Sequence, residues 1–162
     1  MTRAPRTIVA VALAGAAFLG WTIEAHAQVN ARCDVLIIHG TNDDKPDPTA
    51  LPAAVAGPLA QFPQLRMPPF SAYRTMRLLR RPILNLTPNV PFAVALPTGR
   101  SMAVTYLGND PHGHLQISVS ISMPGAVAYL PGIVYAATPG APFFQAGQSY
   151  QGGVLILGFV CQ

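Results

Sequence analysis

Two stretches of this chain are apolar without a break. They are Val35-Leu36-Ile37-Ile38, introduced by Cys33-Asp34, and Val154 to Val160, introduced by Gly152-Gly153 and followed by Cys161. Continuous apolar runs bounded by turn residues read as strands buried on both faces. Laid side by side and antiparallel, the two runs set the start of one against the end of the other, so that Cys33 falls beside Cys161. The contrasting pattern is Leu115-Gln116-Ile117-Ser118-Val119-Ser120-Ile121-Ser122-Met123, where apolar and polar residues alternate. That period of two predicts a strand with one buried and one wet face.

Shorter pieces fill in the rest. Tyr73 to Arg80 reads as a strand, and Pro82 interrupts before Ile83-Leu84-Asn85-Leu86, which favours an edge position or a strand end there. Phe92 to Leu96 and Met102 to Leu107, joined by Pro97-Thr98-Gly99-Arg100, have hairpin composition. Val127 to Leu130, Ile133 to Ala137 and Phe143-Phe144 are apolar segments separated by Pro-Gly breaks. Between the first strand and Met67, Leu51, Ala54, Val55, Leu59 and Phe62 recur at helical spacing, with Asp47 or Thr49 placed to cap and Pro58 to break or kink. Met67 to Tyr73, with Pro68-Pro69, is expected to be an extended connector. The sum is an α+β domain, mostly β: an antiparallel sheet or sandwich with one short helix after the first strand.

The N-terminus reads as an address. Arg3 and Arg6 precede an apolar segment from Ile8 to Trp21, and Ala25-His26-Ala27 is a small-x-small cleavage site. Residues 1–27 are therefore expected to be a cleaved signal peptide and residues 28–162 a single exported β-rich domain, periplasmic or secreted, touching the membrane only through the leader. Ten basic and six acidic residues become eight and five without Arg3, Arg6 and Glu24, a net charge of +3. Two cysteines in an exported chain predict one disulfide, Cys33 to Cys161.

Candidate chemistry is sparse. Val35 to Asp44 looks like the strand and loop that carry the acid of a hydrolase triad, but no Gly-x-Ser-x-Gly elbow precedes it, and Gly147-Gln148-Ser149-Tyr150-Gln151 lacks the second glycine. Asp110, His112 and His114 are candidate metal ligands, since His-x-His can put two imidazoles on one side; His39, Asp43 or Asp44 would complete a set. Arg74, Arg77, Arg80 and Arg81, with Arg66, form a basic strip suited to an anionic surface or to the acids just upstream. No aromatic-interleaved platform accompanies them, which disfavours nucleic acid. Asn85-Leu86-Thr87 matches a glycosylation acceptor, relevant only in a eukaryotic secretory pathway. No cofactor is called for.

Pro68-Pro69-Phe70-Ser71-Ala72-Tyr73, Leu96-Pro97-Thr98-Gly99-Arg100 and Ala146-Gly147-Gln148-Ser149-Tyr150-Gln151-Gly152-Gly153-Val154-Leu155-Ile156-Leu157-Gly158 together resemble a group of exported bacterial proteins. The resemblance implies export and a sheet-rich domain, and carries no activity. The expected function is an exported non-catalytic binding or structural module, its partner an envelope protein or an anionic surface component. The alternative is a secreted metal-binding protein or hydrolase working through His39, Asp43, Asp44, His112 and His114.

Overall fold

The computed structural model describes residues 30–42 and 57–162. Among these described residues, nine antiparallel strands form two sheets. The larger contains β1 (Ala31–Thr41), β2 (Thr75–Arg80), β3 (Ile83–Leu86), β8 (Pro142–Tyr150) and β9 (Gly153–Cys161), in the order β2-β1-β9-β8 with β3 also on β1. The smaller has the order β4-β5-β6-β7, built from Phe92–Ala95, Ser101–Asn109, Leu115–Ile121 and Ile133–Ala137.

β1 and β9 are neighbours, in register from Cys33 opposite Cys161 to Gly40 opposite Val154. The two cysteines are bonded, with a Cα–Cα distance of 4.0 Å, and both are fully buried. Continuity of the apolar runs has the cause expected of it. One face of β1 and β9, with Val35, Ile37, Leu155, Leu157 and Phe159, packs against Val104, Tyr106, Ile117 and Val119 of the smaller sheet. The opposite face, with Leu36, Ile38 and Ile156, is covered by Phe62, Leu65 and Phe70. Alternation within β6 is equally direct: Leu115, Ile117 and Val119 are buried, while Gln116, Ser118 and Ser120 are only partly covered. Removing each of these aliphatic side chains from water favours the fold by about 2 kcal/mol.

The cover over the larger sheet differs from the regular helix expected. Residues 49–56 lie outside the described set. The part that is described forms short 3-10 turns, Gly57–Gln61, Pro63–Arg66 and Phe70–Ala72. Pro58 and Pro63 lack the N–H groups an α-helix would need, so the chain turns tightly and buries Phe62 and Leu65 in passing. The connector from Met67 to Tyr73 is likewise not extended throughout. It contains a cis peptide at Pro68-Pro69, and the turn after it buries Phe70. Pro82 sits at the break between β2 and β3, which divide one edge of β1 between them. The piece from Val127 to Leu130 is no named strand: Tyr129 bridges to Ser122, and Val127 is 93% exposed. Residues 1–27, expected to be a cleaved leader, also lie outside the described set. No helix among the described residues is long and apolar enough to cross a membrane.

Candidate functional site at one end of the sandwich

A register shift in β8 decides what faces the interior at one end of the sandwich. From Phe143 opposite Phe159 to Gln145 opposite Leu157, odd residues of β8 pair with core-facing residues of β9. Between Ala146 and Gln148 the register shifts, and Gln148 rather than Gly147 stands opposite Leu155. The bulge residue is Gly147, at φ 148°, a conformation open to glycine. Consequently Gln148, which the uninterrupted pattern would have turned outward, is buried at 9% exposure between the sheets.

The β4–β5 turn reaches it from the other sheet. Leu96 and Arg100 close this turn through a backbone bond of 2.8 Å from Leu96 N–H to Arg100 C=O. Thr98 Oγ1 donates to Gln148 Oε1 at 3.3 Å. Arg100 Nε donates at 2.6 Å to the carbonyl of Ser122, which is itself held by the 2.8 Å bond from its N–H to Ser101 C=O and by its Oγ accepting from Ser101 N–H at 2.9 Å. The Arg100 side chain is thus fixed at its Nε, and its Nη2 is buried with no hydrogen-bond partner; the same is true of Gln148 Nε2. A second polar link between the sheets lies alongside, where Tyr135 Oη donates to Gln145 Oε1 at 3.0 Å. Burial raises the Tyr135 pKa above its ordinary 10.0, so the phenol stays a donor.

These side chains line a cavity of about 160 Å³ shared with Ile121, Leu130 and Leu157. A second hollow of about 400 Å³, between the β4–β5 turn, Pro124-Gly125 and Ser149, shares Arg100, Gly147 and Gln148 with it. The first is lined by buried Gln148, Leu155 and Leu157 together with partly exposed Ile121 and Leu130, and the second, walled by turns, adjoins it as a vestibule. The arrangement offers fixed N–H donors, one permanently charged, above apolar walls.

The residues singled out in the sequence are placed as follows. Asp110, His112 and His114 share the β5–β6 turn. The Asp110 carboxylate accepts from the N–H of His112 at 2.8 Å and of His114 at 2.9 Å, and lies 2.9 Å from His114 Nδ1. Partial burial works against ionisation of Asp110, but the bonds from the His114 backbone and ring and from the His112 N–H outweigh it and hold its pKa below 3.8. That turn closes the end of the smaller sheet opposite the β4–β5 turn. His39 is on β1 opposite Leu155, its ring 5.1 Å edge-on from Tyr150, at the Arg100 end. Eight strand residues, about 25 Å, therefore lie between His39 and the His112–His114 turn, so the structure does not bring them together. Asp43 and Asp44 lie outside the described residues. Among the described residues no three His, Cys, Asp or Glu side chains are grouped to hold a metal.

Of the basic strip, Arg81 is engaged: its Nε lies 3.0 and 2.9 Å from the two oxygens of Asp34. Arg77 stands opposite His39 and Arg80 opposite Ile37 on β2, and the Arg74 N–H donates to Asn42 Oδ1 at 3.0 Å. Asp34 as the partner of Arg81 was missed because 47 residues separate them. Arg100 and Gln148 were not singled out either. Their only signal was a glycine within an apolar-flanked strand, which marks a bulge and therefore a change of side-chain parity.

Fold and site together define a two-sheet antiparallel sandwich with a polar chamber at one end. No family model, curated protein or solved structure matches the chain.

Proposed function

We propose that this protein is an exported, non-catalytic binding module of the bacterial envelope or secretome, and that what it binds enters the chamber at Arg100 and Gln148. The partner is an envelope protein or an anionic surface component with a group small enough to pass the vestibule. The observation that carries this reading is the pair of buried donors without acceptors. Unsatisfied buried polar groups cost about 1–3 kcal/mol each, more when charged, and persist in a fold where a ligand completes them. The Cys33–Cys161 bond supports residence in an oxidising compartment.

Native mass spectrometry of the disulfide-bonded protein, after incubation with periplasmic extract and desalting, tests the proposal. Wild type should retain a stoichiometric component that the Arg100→Gln variant, folded by circular dichroism, loses. Retention of nothing, or equal retention by both proteins, would overturn it.

A further inference from the structure

Taking that binding reading as its basis, we infer that the chamber is a carboxylate site: it takes a monocarboxylate carried on a compact apolar body. Charge comes first. Guanidinium is protonated at any physiological pH, and although Arg100 as a whole is half-buried, enclosing its Nη2 without a counter-ion is costly. The described residues include two acidic side chains, and both are engaged elsewhere, Asp34 by Arg81 and Asp110 by His114. Arg100 has its Nε on the Ser122 carbonyl, a neutral acceptor, and its Nη2 without any. No acidic side chain among the described residues supplies that acceptor, and an anionic ligand in the chamber would.

The second donor narrows the chemistry. Gln148 lines the same cavity, with its Oε1 on Thr98 and its Nε2 buried without a partner, so the ligand presents acceptors to two donors, one in the β4–β5 turn and one on β8. A carboxylate has two oxygens for two such donors and one negative charge for one guanidinium. A phosphate dianion would bring an extra charge against a single guanidinium and further oxygens against the apolar side chains of Ile121, Leu130 and Leu157. Those same walls favour an apolar body. A chamber of about 160 Å³ is close to the apolar cavity size of about 150 Å³ that admits benzene. The body thus has roughly six carbons. Such a carboxylate can be a free small acid or the C-terminus of a polypeptide lying in the vestibule.

Benzoate is the probe that tests this, titrated into the disulfide-bonded protein and followed by the NMR signals of the Arg100 Nε–H and the Gln148 side-chain amide. Saturable shifts of both are expected, with benzamide at least about tenfold weaker and Arg100→Gln weakened by a similar factor. Gln148→Met, which retains the charge, should weaken benzoate severalfold and serves if Arg100→Gln does not fold. An N-acetylated peptide ending in phenylalanine separates the sources: tighter binding than benzoate, lost on C-terminal amidation, assigns a polypeptide terminus, and weaker binding assigns a free acid. Equal binding of benzamide, or binding of phenyl phosphate in place of benzoate, would overturn the carboxylate assignment and leave the binding-module proposal standing. If no probe binds and periplasmic extract yields no retained component, both fall.

Discussion

Breaking the Cys33–Cys161 bond is the perturbation whose size follows most directly from the architecture. The bonded residues are 128 apart in sequence, so the cross-link removes a long loop from the unfolded ensemble. On the chain-entropy account this amounts to about 5 kcal/mol at 25 °C, comparable with the whole stability of many domains. Little of that should come from contacts the bond makes in the folded state, because the β1–β9 register and the apolar runs around it stay in place without it. The double variant Cys33→Ala with Cys161→Ala adds a void where two fully buried sulfurs stood, about 1 kcal/mol for each. Wild type reduced while unfolded, then refolded with its thiols intact, separates the two effects. In urea unfolding the reduced protein should lose roughly 3–5 kcal/mol, moving the midpoint down by about 2 M, and the double variant should lose slightly more. The slope should rise on reduction, because an unfolded chain without the cross-link exposes more surface. A midpoint shifted by less than about 0.5 M in protein shown by mass to be fully reduced would refute the loop-closure reasoning.

Four further outcomes are expected. Gly153→Ala would set a Cβ against the carbonyl of Gly40 and 2.7 Å from His39 Nε2, so thermal unfolding should show a loss of about 2 kcal/mol or more, and an unchanged melting curve would contradict the packing. Arg81→Ala removes an ion pair whose side chains are 35% and 24% exposed, and should cost less than about 1 kcal/mol in the same assay; a larger loss would mean the pair is shielded from solvent in solution. Asp110 has its pKa depressed in the fold, so its contribution to stability is present above pH 3.8 and disappears as pH falls through the lower folded value. A carboxyl titration by carbon-13 NMR with a midpoint at or above 3.8 would count against the β5–β6 turn as described. Tyr135 has the opposite sign: its neutral form is favoured in the fold, stability is complete below pH 10.0 and declines as pH rises through the raised folded value, and ultraviolet titration should find one phenol ionising late.

The parts of this fold that could be read from the chain are those set by local periodicity. Unbroken apolar runs at Val35–Ile38 and Val154–Val160 announce burial from two sides, and the structure supplies a second sheet on one side and the 3-10 cover on the other. Alternation from Leu115 to Ile121 announces one buried face. Cys33 opposite Cys161 follows once β1 and β9 are paired antiparallel. What escaped reading has a common physical cause, a break in the local rule or a partner far along the chain. Helical spacing around Leu59 and Phe62 is overridden by Pro58 and Pro63, so the described part of that segment forms 3-10 turns. Period two places Gln148 on the outward face, and the bulge at Gly147 reverses it. Arg100, in a turn, carries every mark of a solvated residue until Ser122, 22 positions on, takes its Nε and the opposite sheet closes over its Nη2.

The central claim, that the end of the sandwich holds an incomplete set of donors awaiting an acid, is tested most directly by a crystal structure of the disulfide-bonded protein grown with benzoate. The account predicts a carboxylate within hydrogen-bond distance of both Arg100 Nη2 and Gln148 Nε2, with the ring against Ile121, Leu130 and Leu157. A structure in which Gln148 points to solvent, or in which Arg100 is already paired with an acidic side chain of the chain itself, would contradict it.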